Sequence, residues 1–319
     1  MKLLVKDLFI ALFLGFLLPG IVLNGFLIWE KRQPFQQEER ISQTFPEKTE
    51  ISMKLQGENG EVEEMDLDTY LVGVVLAEMP AWFEPEALKA QSVAARTYTY
   101  KALTTGGKHG NGSVCTASAC CQGYIAEQEY LSQGGTREGV EKIRAAVAAT
   151  SGQVLTYEGE LVEATYFSCS GGSTEDAAAV WGTEYPYLQS VYSPGEETAE
   201  VFESQMTFTP DAFQQALGVE LEGSPDSWFG LISYTEGGGV SIMTIGSQTY
   251  TGTQLRSLLG LRSTAFRIKA GEQITVTTRG YGHRVGMSQY GADAMAVAGS
   301  DYTEILSHYY QGTQITQLS

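Results

Sequence analysis

Residues 8–29, LFIALFLGFLLPGIVLNGFLIW, run without a charged side chain. As a helix rising about 1.5 Å per residue, such a run spans a bilayer core of roughly 30 Å. Pro19 and Asn24 are tolerated inside a membrane helix. The run is longer than the apolar core of a signal peptide and has no small-x-small cleavage site near its end. A retained anchor over residues 1–32 is therefore expected rather than a cleaved leader. Lys2 and Lys6 precede the run and Lys31 and Arg32 follow it, so charge bias is weak. With no second span downstream, the expectation is an inside N-terminus and an exported body.

Residues 33–50, QPFQQEERISQTFPEKTE, are polar and aperiodic and read as a linker. The body, residues 51–319, is long enough for a sizeable core. The whole chain carries a formal charge of −18, which argues against nucleic acid as a partner, because phosphate binding needs clustered cations. A long neutral polymer tolerates such a surface. ISMKLQ, GENG and EVEEMD read as strand, turn and strand. A helix is expected from Asp68 to Pro80 and another from Pro85, since proline suits a first helical position. VEKIRAAVAAT is helical up to Ser151-Gly152, and a hairpin turns at Glu158-Gly159. Residues 205–275 mix short helix and strand signals and read as an inserted α/β subdomain. Helices and hairpins without regular βαβ alternation predict an α+β fold.

VLAEMPAWFEP places one carboxylate, Glu78, in apolar company. In the next helix Lys89, Ser92, Arg96 and Thr99 are spaced to share one face. An apolar wall raises a carboxyl pKa and nearby cations lower it. A general acid needs the first effect to prevail. The plainer reading has Glu78 capping or pairing locally, with Lys89 and Arg96 on a solvated face.

HGNGSVCTASACCQGY holds His109, Cys115, Cys120 and Cys121 within 13 residues. One imidazole and three thiols suit tetrahedral zinc. The adjacent Cys120 and Cys121 both ligate only if the chain bends sharply. The alternative is a disulfide, Cys115 with Cys120 or Cys121, or one of these with Cys169. Otherwise Cys169 is a buried thiol.

In GYGHRVGMSQYGA, His283 is a groove candidate, with Ser288 and Gln289 as hydrogen-bonders to a ligand there. The alternative is a structural His283. Ser168 and Ser170, in SCSGG, read as groove lining, since no G-x-S-x-G pattern supports a nucleophile. Tyr187 is placed either against a ligand or in the core, and His308 is read as structural.

Four segments carry a resemblance: YLVGVVLAEMPAWFEPEALKAQSVAARTYTYK, YFSCSGGSTEDAAAVWGTEYPYLQSV, GTQLRSLLGLRSTAF and GYGHRVGMSQYGA. Together they resemble the stage II sporulation protein D family, in that family's order, over roughly residues 50–312. The resemblance implies a lytic transglycosylase cleaving peptidoglycan between N-acetylmuramic acid and N-acetylglucosamine. Its substrate would be strands stripped of stem peptides by a partner cell-wall amidase or endopeptidase, alongside a membrane scaffold protein, during engulfment. It implies a place in the mother-cell membrane, facing the forespore septum. Glu78 matches the catalytic glutamate of the family's E-M-P motif, and Lys89 and Arg96 match the cations of the following helix. One carboxylate suffices for this chemistry, because the muramyl 6-hydroxyl replaces the water a hydrolase must activate. Some clostridial members have a two-His, two-Cys zinc site in this insert, with Cys120 here standing where the second His would be. A zinc with four protein ligands would be structural. Arg284 departs from the family pattern, which more often has glycine. Relatives described as amidase enhancers supply the rival expectation, a glycan-binding module. A metal-stabilised structural protein is the third.

Overall fold

The computed structural model describes residues 51–57, 60–109 and 113–318. The expected anchor and linker lie outside the described residues. Among the described residues no helix is long and apolar enough to cross a membrane.

Strand β1 (Ser52–Gln56) pairs antiparallel with β2 (Val62–Asp66) and parallel with β3 (Ser113–Cys115). This sheet carries the first thiol, Cys115, at the end of β3. Asp66 then caps helix α1 (Leu67–Glu78), its carboxylate accepting from the Thr69 N–H at 3.1 Å. The helix is buried along most of its length, as expected of one apolar on nearly every face. It stops one residue short of Pro80. Met79 is extended (φ −124°, ψ 140°), the conformation that a following proline favours. Glu78 is thereby the last helical residue, facing out of the buried layer.

Helix α2 (Pro85–Thr105) starts with proline in its first turn and ends at Gly106, whose φ of 85° suits glycine. Helix α3 (Glu127–Ser132) follows the cysteine loop, and α4 (Arg137–Ala149) packs on α1 and α2. The chain then turns at Glu158 (φ 51°) and Gly159 (φ 87°), joining β4 (Gln153–Tyr157) to β5 (Glu160–Leu161). Two successive left-handed residues match the twist of a tight hairpin. Strand β6 (Tyr166–Phe167) pairs in parallel with β13 (Met287–Ser288), so the SCSGG and GYGHRVGMSQ loops meet although the paired residues are 121 apart in sequence.

Residues 203–279 carry a separate hydrophobic cluster built on Phe213, Trp228, Leu255 and Ile274. It contains strands β7 (Glu203–Phe208), β8 (Phe229–Tyr234), β9 (Val240–Ile245), β10 (Gln248–Thr251), β11 (Ala265–Lys269) and β12 (Ile274–Arg279). Helices α6 (Pro210–Leu217) and α7 (Gly252–Leu259) complete it, after the short α5 (Ala177–Trp181). Two antiparallel sheets result, ordered β10-β9-β8 and β11-β12-β7. Arg284 ties this part to the main body: buried, it pairs with Glu175 at 3.0 Å and donates to the Gly237 carbonyl at 2.7 Å. Helices α8 (Gln289–Val297) and α9 (Tyr302–Tyr309) and strand β14 (Gln314–Gln317) close the chain, β14 pairing with β4. Helices and mostly antiparallel strands are mixed, and the strands do not form one regular parallel sheet.

Candidate active site and candidate metal centre

Glu78 lines an open cavity of about 380 Å3, whose wall includes Met79, Phe83, Tyr130, Ser168, Tyr281 and Gln289. Glu78 is the only carboxylate among the described residues lining it. Its Oε1 accepts the Gly123 backbone N–H at 2.6 Å. Burial raises the Glu78 pKa above its ordinary value, while the Gly123 N–H and the Gln289 side chain pull it down. The Gln289 amide is buried beside Glu78, its Nε2 oriented short of a fully formed hydrogen bond.

Two sets of contacts hold Glu78 in place. Gln122, itself buried, donates to Thr99 Oγ1 at 2.8 Å and accepts from the Tyr166 hydroxyl at 2.8 Å. Both bonds fix the chain just before Gly123. On the other side, the loop after Glu78 is clamped by α8: Asp293 Oδ1 accepts the Glu84 N–H at 2.7 Å, and Phe83 meets the Tyr290 ring edge-on at 5.0 Å. Trp82, between them, is 66 % exposed.

Of the substrate-binding candidates, the structure places Ser168 and Gln289 on the Glu78 cavity. The others lie away from that cavity. Arg96 is buried and turned away from Glu78. It pairs with Asp68 at 3.0 Å and donates to the carbonyls of Val147 and Thr150, so it ties α2 to the C-terminal end of α4. Lys89 pairs with Glu86 at 2.6 Å and sits 5.8 Å from the Tyr302 ring centroid. Neither cation is among the groups that shift Glu78. Ser170 and Ser288 both donate to the buried Glu196 and lie inside the fold. Tyr187 is buried beside Tyr157 and Tyr185, and its hydroxyl accepts the Glu163 N–H. His283 packs between Phe167 and Trp181 and accepts the Val285 N–H at Nδ1. Burial first, then the nearby Arg256, lowers its pKa to about 4, as befits a structural, neutral imidazole.

Gly123, Gln122, Tyr130 and Tyr281 went unmarked in the sequence reading. Tyrosine in a cavity wall has no local signature, and Gly123 reaches Glu78 across 45 residues.

The ligand atoms of His109, Cys115, Cys120 and Cys121 all lie within 4.8 Å of one another. His109 Nε2 is 3.5 Å from Cys121 Sγ and 3.7 Å from Cys120 Sγ. The required bend is present: the Ala117 carbonyl accepts the N–H of both Cys120 (3.0 Å) and Cys121 (2.8 Å). None of the four cysteines is in a disulfide. Zinc–sulfur bonds of about 2.3 Å at a tetrahedral centre set two sulfurs roughly 3.8 Å apart. Cys120 and Cys121 are at 4.0 Å, so the donor set fits such an ion. Cys169 stands elsewhere, buried, its backbone bridged to Tyr281.

A family model described as Stage II sporulation protein matches residues 56–157. The chain is 44% identical over 265 residues to Stage II sporulation protein D of Bacillus subtilis (strain 168), covering 81% of this chain and 77% of the relative. It is 41% identical to Stage II sporulation protein D of Bacillus amyloliquefaciens, covering 81% and 76%. It is also 29% identical to an Amidase enhancer of Bacillus subtilis (strain 168), over 77% of this chain but 40% of that protein. The motifs around Glu78 thus sit within a likeness that spans most of both chains, and the chain belongs to the stage II sporulation protein D family.

Proposed function

We propose that this sporulation protein is a lytic transglycosylase acting on peptidoglycan glycan strands, with Glu78 as its acid and then its base. The observation that carries the proposal is the Glu78 carboxyl: raised by burial, held by one backbone N–H, and the only carboxylate among the described residues lining its cavity. Protonated Glu78 donates to the glycosidic oxygen, and the bond from that oxygen to the muramyl anomeric carbon breaks. The resulting carboxylate, stabilised by the Gly123 N–H, takes the proton of the muramyl 6-hydroxyl. The 6-oxygen bonds to the anomeric carbon as a 1,6-anhydro ring, so no water is consumed and Glu78 ends protonated. A hydrolase needs a second carboxylate or an activated water at this step. Gln289, whose side chain interacts with Glu78 on the same wall, suits a sugar hydroxyl or acetamido carbonyl beside the carboxyl, and Ser168 offers a hydroxyl there.

His109, Cys115, Cys120 and Cys121 would hold a zinc ion whose work is structural, since four protein ligands leave no position for water. Residues 1–32 would anchor the chain in the mother-cell membrane with the body facing the septum, beside a membrane scaffold protein. A cell-wall amidase working on the same wall would supply strands freed of stem peptides.

Glu78→Gln tests the acid. On denuded strands, mass spectrometry should show 1,6-anhydro ends with the parent protein and at least a hundredfold fewer with the variant, the scale of a lost general acid. Equal anhydro product from both would sink the assignment. The relative named Amidase enhancer favours a second reading, a module that stimulates a partner amidase. On that reading Glu78→Gln would leave stimulation of amidase release of stem peptides intact, with no anhydro ends from either form.

A further inference from the structure

We propose that the Glu78 cleft continues into a second cavity, that this cavity binds the glycan on the far side of the scissile bond, and that cleavage is therefore internal to the strand. The inference rests on the reading of Glu78 as the acid.

The second cavity measures about 450 Å3 and is lined by Thr116, Gly123, Tyr124, Glu129 and Gln133, together with Tyr130. It shares Leu76, Ala77 and Tyr130 with the first. Glu78 lines the first cavity, and Gly123, which donates to it at 2.6 Å, lines the second. The carboxyl thus stands at the junction of two cavities rather than at a blind end. Small-ligand pockets run from about 300 to 1,000 Å3, so each cavity is sized for a short piece of saccharide. A polymer filling both passes over the shared Ala77 and Tyr130, next to Glu78. An enzyme that nibbles from a chain end needs one side closed, whereas here a cavity lies on each side of the Glu78–Gly123 hydrogen bond.

The lining chemistry suits a sugar. Tyr124 is held by stacking on Tyr70, with ring centroids 5.6 Å apart and 8° between planes. Thr116, Glu129 and Gln133 present a hydroxyl, a carboxylate and an amide, which pair with sugar hydroxyls and acetamido groups. Gln133 Nε2 already donates to Glu129 Oε1 at 3.1 Å, which fixes the two side chains relative to each other. No cation is among the described residues lining this cavity. Removal of a stem peptide leaves a lactyl carboxylate on each muramic acid, and Glu129 would repel it. The subsite beside Glu129 therefore takes the uncharged N-acetylglucosamine.

The experiment uses the full chain and long denuded strands, sampled early and sized by chromatography. Internal cleavage should collapse the mean strand length while anhydro ends appear on fragments of intermediate size. Release of disaccharide from the first time point, with the remaining strands near full length, overturns this proposal and leaves the lytic reading standing. Absence of any anhydro product defeats the lytic reading and this one with it. Gln133 is exposed, so Gln133→Trp should fold while filling the second cavity. It should raise the KM about tenfold for strands long enough to span both cavities, as loss of a subsite worth about 1.4 kcal/mol does. That increase should grow with strand length. A KM increase independent of length, or none, shows that the second cavity lies off the strand's path.

Discussion

The backbone N–H of Gly123 points at Glu78 Oε1 from 2.6 Å, so a residue two places past the cysteine pair sets the position of the carboxyl. A Cβ at Gly123 would stand 2.9 Å from that oxygen and 3.5 Å from the Ala77 Cβ. Gly123 lies outside the left-handed region, so alanine there leaves the backbone unstrained. Gly123→Ala should therefore push the carboxyl aside without unfolding the protein. A shift near 1 Å lowers catalytic rates by up to about a hundredfold. The expected result is a fall in kcat with little change in KM and an unaltered circular dichroism spectrum. An unchanged kcat would mean that the hydrogen bond does not govern catalysis.

Glu78 also ties rate and stability to pH with the same sign. As an acid it must begin protonated, so kcat/KM should fall as pH rises through its raised pKa. Folded Glu78 holds its proton more tightly than the unfolded chain does, where the ordinary value is 4.5. Its contribution to stability is thus fully present below 4.5 and lost as pH rises through the folded value. Glu78→Gln keeps an acceptor for the Gly123 N–H and carries no charge. Its Tm should exceed that of the parent at pH 8, and the gap should close toward pH 4. A gap that does not vary with pH would show that the carboxyl is not perturbed by burial.

Local signals in the sequence carried the elements well, because their causes are local. Pro85 starts a helix, and Glu158-Gly159 turns a hairpin. Glu78 stood out because a charge among apolar residues is costly unless used. What spacing could not tell is which way a shared helical face points. Ser92, Arg96 and Thr99 do lie along one face of α2, but that face is buried, so the stripe reads as solvated or catalytic only until the packing is known. Ser170 and Ser288 were similarly opaque. Their hydroxyls are held by Glu196, a buried carboxylate in a segment that no motif marks.

Arg96 offers a direct separation of structure from catalysis. Its guanidinium serves Asp68 and the carbonyls of Val147 and Thr150 at once. Arg96→Ala leaves those buried groups unpaired, a loss of about 3 kcal/mol or more, which lowers Tm by roughly 10 °C in a chain of this size. Lysine brings a point charge that cannot span the same fork, so Arg96→Lys should recover only part of that loss. The KM of the folded variants should stay near the parent value. A raised KM with unchanged Tm would return Arg96 to the glycan-binding set.

The cysteine cluster yields the last prediction. Donor atoms within 4.8 Å of one another, on a loop bent by the Ala117 carbonyl, are spaced for a metal and too far apart for a Cys120–Cys121 bond. Protein purified under reducing conditions should carry about one zinc per chain by emission analysis. Stripping the ion with a strong chelator should lower the Tm, because binding to the folded loop alone is folding free energy. Acidification should release the ion as protons compete for thiolate and imidazole. Cys121→Ser should lose the zinc, whereas Cys169→Ser should retain it, since Cys169 is buried in the strand contact with Tyr281. Protein purified without reductant that carries zinc well below one equivalent and has two fewer titratable thiols than the reduced protein would instead establish a disulfide in this loop.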